Sequence, residues 1–204
     1  MKLFYKPGAC SMAAHILLNE AGVDYQLEKV DTDAGTTETG ASYGTTNPRG
    51  YVPALQLENG EVLTENVAVL QWLSEQLPGF ASNDNSAPLK KYRQLELLSF
   101  LSSELHKGFS PYFSGVAFSE EEKAAHATKL NDTIAQFDAI LPKESPFLLG
   151  ETFSVADAYA FVILNWSNFI GVSLEAWPRT KAYVEKIAAR PAAQQTLREE
   201  GLAA

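Results

Sequence analysis

The sequence predicts an α/β domain ordered βαβ-ββα, followed by an all-helical domain. Three observations carry this. Short strand-like runs bounded by Pro, Gly and Asn occur only in the first 80 residues. Beyond residue 88 the apolar residues recur at helical spacing. Between them, "FASNDNSAP" (80–88) is polar, has no aliphatic side chain larger than alanine, and reads as a linker. The expected division is a first domain over 1–80, a linker over 81–87 and a helical domain over 88–204.

The elements follow in order. "KLFYK" is an apolar run stopped by Pro7-Gly8, a strand. Ser11 to Ala21 sets Ala13, Ala14, Ile16, Leu17 and Leu18 before Gly22, a helix with its stop. "DYQLEKVD" alternates Tyr25, Leu27 and, less cleanly, Val30, a second strand. Strand, helix, strand favours a right-handed crossover. Residues 32–50 are rich in Thr, Gly and Asn and form a long polar loop with room for one short helix. "VPALQLENGEVL" is a hairpin around Asn59-Gly60. "TENVAVLQWLSEQLPG" places Val67, Leu70, Leu73 and Leu77 on one helix face and ends at Pro78-Gly79. This order matches a thioredoxin-like domain. In the second half, 88–115 reads as one long amphipathic helix. Ser119 with Glu122, and Ser154 with Asp157, are capping-box signatures. The run after Ser154 is apolar almost all round, so that helix is expected at the centre. Pro178 and Pro191 start two more.

The chain has 204 residues, enough to bury a core, and a net charge of −9. Such a charge repels phosphate backbones and anionic membrane surfaces, so neither nucleic acid nor membrane is an expected partner. One cysteine excludes an intrachain disulfide, and a reducing compartment is the default. "PGAC" is similar to a lipoprotein cleavage site, but only Leu3, Phe4 and Tyr5 separate Lys2 from Lys6, too few for a signal core. A cytoplasmic protein is expected. His15 and His126 have no Cys or carboxylate cluster at ligand spacing, so no metal site is expected.

Four constellations carry chemistry. Cys10 immediately precedes the first helix, where free N–H groups and the dipole favour a thiolate. Ala13 stands where a C-x-x-C motif has its second cysteine, so no internal disulfide forms. Position alone leaves two readings of Cys10 open: a reactive thiol, or a small buried hydrophobe. Val52-Pro53 opens a strand, where a cis bond would turn the Val52 backbone outward to pair with an extended peptide. An edge-strand proline is the plain alternative. Glu65 and Asn66 begin the third helical segment of the chain's order, where they suit the α-amino and α-carboxylate groups of an amino acid, or else simply cap the helix. Ser99, Ser103, His106 and Ser110 follow at spacings of 4, 3 and 4, a polar stripe that faces either a cleft or solvent. Beside it run Leu98, Leu101, Leu105 and Phe109.

Together these segments resemble the cytosolic glutathione transferases, specifically the bacterial beta class, over essentially the whole chain. The resemblance rests on "KLFYKPGACSMAAHILLNEAG", "NPRGYVPAL", "LTENVAVLQWL", "ELHKGF" and "FSVADAYAF". It implies glutathione as co-substrate rather than a resident cofactor, a hydrophobic electrophile, and a homodimer. It implies Cys10 and His106 as catalytic, and Val52, Glu65, Asn66, Ser99, Ser103, Glu104 and Lys107 as glutathione-binding. Ser103 and Glu104 are implied to reach glutathione across the dimer interface, and Ser99 stands where asparagine is common. Pro53, Ser154 and Asp157 are implied as structural. One departure stands out: the loop 31–48 lacks the lysine that the class uses for the glycyl carboxylate, and the nearest bases are Lys29 and Arg49; the alternatives are that Lys107 or a water substitutes, or that glutathione binds more weakly. Tyr51 stands where glutamine is common. The function implied is conjugation of the glutathione thiolate to hydrophobic electrophiles. Monothiol disulfide exchange through Cys10, or non-catalytic ligand binding, are the alternatives. Phe109, Tyr112 and Phe113 are candidates for the apolar wall, or else core.

Overall fold

The computed structural model describes residues 1–80 and 89–202. The expected linker over 81–87 lies outside the described residues. Strands β1 (Lys2–Tyr5), β2 (Gln26–Asp31), β3 (Thr36–Thr37), β4 (Ala54–Gln56) and β5 (Val62–Thr64) form one sheet in the order β3-β2-β1-β4-β5. Only β1 and β2 pair in parallel; the other neighbours are antiparallel. Helix α1 (Met12–Ala21) makes the crossover between β1 and β2, and Gly22 ends it at φ +63°. The Asn59-Gly60 hairpin closes with Leu57 N–H donating to Glu61 O at 2.8 Å. Helix α2 (Asn66–Gln76) follows β5 directly.

Period-two alternation gives the sheet two working faces. Leu3, Tyr5 and Leu55 join the main core with α1 and α2. Phe4, Val30 and Ala54 turn the other way and bury Tyr43, from the long loop. That loop holds β3 and a single 3-10 turn at Tyr43–Thr45. β3 was not expected, because a two-residue pairing leaves no hydrophobic period.

The helical half begins with α3 (Lys90–Phe100). The expected single helix over 88–115 is one rod of changing pitch. A π-helical segment, Leu101–His106, is followed by α4 (Lys107–Phe109) and a 3-10 turn at Ser110–Phe113. Helix α5 (Glu120–Ile140) starts at a complete Ser119–Glu122 capping box. Helix α6 (Val155–Asn165) starts at the complete Ser154–Asp157 box and is buried from Val155 through Leu164. Asp157 also accepts from Leu148 N–H at 2.8 Å and Tyr183 hydroxyl at 2.7 Å, so it ties two further segments to the α6 start. Short α7 (Ser167–Ile170), then α8 (Pro178–Ala188) and α9 (Pro191–Glu199), complete the chain. α1 packs against both α6 and α9, so the first strand-helix unit is seated on the helical half. Among the described residues, no helix is long and apolar enough to cross a membrane.

Candidate active site

The segment between β1 and α1 presents Cys10. Gly8, at φ +72°, makes the turn that a Cβ would strain. The turn is held from the helical half at both backbone atoms. Gly8 N–H donates to Glu200 Oε2 at 2.8 Å, and Trp166 Nε1–H donates to Gly8 O at 2.7 Å. The Cys10 thiol donates to the Val52 carbonyl at 3.5 Å. Burial pushes that thiol up to about 12, and the N–H groups of Cys10 and Ser11 offset only part of it. Thus the expectation of a lowered pKa does not hold. The helix start is there, but the low-dielectric surroundings outweigh its dipole, and Glu65 adds a repelling charge. At neutral pH, Cys10 is a thiol and a hydrogen-bond donor.

Val52-Pro53 is a cis bond. The preceding carbonyl, of Tyr51, is fixed by Tyr43 hydroxyl at 2.9 Å and Asn47 Nδ2 at 2.7 Å. These two residues hold the Val52 backbone at the cleft wall. Glu65 adopts φ +67°, the one non-glycine residue in the left-handed half of the map among those described. Such backbone strain persists where the surroundings impose it, and it clusters at ligand clamps. Its carboxylate pairs with Arg49 at 3.0 Å, both side chains being exposed. The adjacent Asn66 has both amide atoms, Nδ2 and Oδ1, buried without a hydrogen-bond partner.

His106 sits at the end of the π-helical segment, edge-on to Trp166 with ring centroids 4.8 Å apart. Its Nδ1 lies 2.7 Å from the Tyr159 hydroxyl of α6. Burial raises the pKa of that hydroxyl, so it stays protonated. Either group can donate in this bond, and its direction follows the imidazole tautomer; with the hydroxyl donating to Nδ1, the ring proton sits on Nε2. Burial first, and the charge of Lys107 second, lower the His106 pKa to about 4, so the ring is neutral at pH 7.

Two clefts meet at these residues. One, of about 680 Å³, is polar and runs past Arg49, Val52, Glu65, Asn66 and Lys107. The other, of about 570 Å³, is lined by Pro7, Ala9, Phe113, Trp166, Phe169 and Leu202. Lys6, Cys10 and His106 belong to both walls. Among the described residues, no group of three or more His, Cys, Asp or Glu side chains is placed to hold a metal ion.

Comparison with known proteins agrees with this arrangement. Residues 8–76 match the family model for the glutathione S-transferase N-terminal domain, and 100–191 match the one for the C-terminal domain. The chain is 39% identical to glutathione S-transferase GstA of Escherichia coli O157:H7, over 99% of this chain and 100% of that one. The chain belongs to the glutathione S-transferase family. Within it, the chain is of the bacterial beta class. It is 42% identical to the beta-class enzyme of Sphingomonas chungbukensis, with a TM-score of 0.91 and all of both chains covered. It is 45% identical to a sphingomonad glutathione S-transferase solved in complex with glutathione, again with a TM-score of 0.91 over both whole chains.

In this glutathione transferase, Cys10, Val52, Pro53, Glu65, Asn66, His106 and Lys107 all line the polar cleft. Ser99, Ser103 and Glu104 do not; they are exposed on the outer side of the rod. From the π-helical segment, Ser102 faces the cleft with His106. Of the expected apolar wall, Phe109 is core, Tyr112 packs against that core, and Phe113 alone lines the cleft. Trp166 and Phe169 complete it, although no periodicity marked them. Tyr159 was the other residue missed, though it had a signal: a hydroxyl in the most apolar helix requires a buried partner.

Proposed function

We propose that this glutathione transferase holds glutathione extended along the polar cleft and delivers its thiolate to a hydrophobic electrophile in the apolar one. The single observation behind this reading is the shared wall. A sulfur beside Cys10 and His106 faces both clefts at once. Holding both reactants there removes much of the entropic barrier.

The roles follow from the chemistry of each group. Glu65 takes the α-ammonium at one end. The orphaned Asn66 amide, at the N-terminus of α2, takes the α-carboxylate. The Val52 backbone pairs with the cysteinyl unit. When that unit's N–H takes the Val52 carbonyl, the Cys10 S–H is released from it and donates to the glutathione sulfur. His106 Nε2–H is the second donor, in a water-poor site where such donors count most. Lys107 supplies positive charge beside them. Ser103 and Glu104, exposed on the first helical rod, reach glutathione bound to the partner of a homodimer; Ser99 is exposed on the same rod. Glutathione is a co-substrate, with no resident cofactor. The glutathione domain spans 1–80, the helical domain 88–204, and the compartment is the cytoplasm.

Monothiol exchange needs Cys10 as a thiolate, and its raised pKa weighs against that role in the resting protein. The test is a pair of assays on the purified protein: glutathione with a chloronitroaromatic, and glutathione with a mixed disulfide. Saturable conjugation is expected, and Cys10→Ala should keep it within about tenfold, the size of one lost hydrogen bond. Absence of any saturable dependence on glutathione would overturn the reading. So would disulfide exchange without conjugation.

A further inference from the structure

Glutathione carries a second carboxylate, on its glycyl end, and the loop bordering that side of the cleft is a poor host for it. Residues 31–48 contain Asp31, Asp33 and Glu38 and no lysine or arginine. A carboxylate arriving there needs a cation supplied from another element.

Three cations line the polar cleft: Lys6, Arg49 and Lys107. Arg49 is engaged at the opposite end, on Glu65 at 3.0 Å. Lys107 stands beside His106, whose pKa its charge lowers. Lys6 is different. It leaves the end of β1, and its backbone N–H donates to Ser11 Oγ at 3.3 Å, which anchors the stem. Its ammonium reaches across to the first residues of the loop, donating to Thr32 Oγ1 at 2.8 Å. The nearest carboxylate, Asp33, is 3.8 Å away and 93% exposed, so water screens that pair. The ammonium therefore places a positive charge where the loop has none, with donors to spare. It also lines both clefts with Cys10 and His106. The glycyl unit follows the cysteinyl unit directly, so its carboxylate falls near the sulfur end of the cleft.

We propose that Lys6 holds the glycyl carboxylate of glutathione, in place of the loop lysine that this chain lacks. The proposal rests on the reading of the polar cleft as the glutathione site.

The test compares glutathione with its glycyl monoethyl ester, which removes only that charge, in the wild type, Lys6→Met, Lys6→Arg and Lys107→Met. The wild type should show a KM about tenfold higher for the ester, the size of one charge-assisted hydrogen bond. Lys6→Met should raise the KM for glutathione by about the same factor, leave kcat nearly unchanged, and leave the ester KM where it was. Lys6→Arg should keep most of the discrimination. Should Lys6→Met fail to fold, Lys6→Gln makes the same comparison. A Lys6 variant that keeps the wild-type ester-to-glutathione ratio overturns the proposal, and so does loss of that ratio in Lys107→Met. A wild type indifferent to the ester also overturns it. A wild type with no saturable glutathione dependence instead defeats the reading of the cleft itself.

Discussion

Asn66→Leu is expected to make the empty protein more stable and its glutathione binding weaker. Both atoms of the Asn66 amide are buried with no hydrogen-bond partner, so folding strips them of water without compensation. An unsatisfied buried polar group costs about 1–3 kcal/mol. Leucine has nearly the same branched shape and nothing to satisfy, so about 2 kcal/mol should be recovered. In a chain of this size that raises Tm by about 4–8 °C. The same substitution removes the amide that is to meet the α-carboxylate of glutathione. A hydrogen bond to a charged group is worth about 1.5–3 kcal/mol, so Kd should rise about 10–100-fold. The assays are thermal and urea unfolding with and without glutathione, and calorimetric titration. Glutathione should raise the Tm of the wild type, and should raise that of the variant much less at equal concentration. A variant less stable than the wild type without glutathione would refute the reasoning, since it would mean that the amide is satisfied within the protein. Unchanged affinity would refute the ligand half.

Three further outcomes are expected. His106 has its folded pKa near 4, below the unfolded value of about 6.5, so the unfolded chain binds its proton first as pH falls. Its contribution is whole above about pH 6.5 and is lost on acidification to about 4; the wild type minus His106→Phe difference in unfolding free energy should shrink by about 3 kcal/mol over that window, and a flat difference in urea titrations would contradict this. Phe113→Ala, at the mouth of the apolar cleft, should raise KM for an aromatic electrophile about tenfold, with the glutathione KM unchanged in steady-state kinetics. Ser154→Ala should cost about 1–2 kcal/mol in urea unfolding by removing the α6 cap, again without moving the glutathione KM.

Much of this molecule was legible because the signals are local. Gly22, Asn59-Gly60, the two capping boxes and the helix-start prolines each act within a few residues, and each element formed where its punctuation placed it. Cys10, Val52-Pro53, Glu65-Asn66 and His106 were visible for the same reason, as the chemistry of short segments with a family resemblance. What sequence order determined by itself was which groups are present and which element carries each.

Only the tertiary structure decided what state those groups are in and which faces they share. Cys10 has a helix start, which promises a thiolate, yet burial against residues far along the chain keeps it a thiol. The π-helical segment brings Ser102 to the cleft, and an even helical period has no mark for an added residue in one turn. Tyr159 meets His106 Nδ1 from 53 residues away, and Lys6 reaches Thr32 across 26. Sequence patterns report the near neighbours of a residue along the chain. Dielectric, proton placement and the meeting of two clefts depend on neighbours through space, and those exist only once the core has closed.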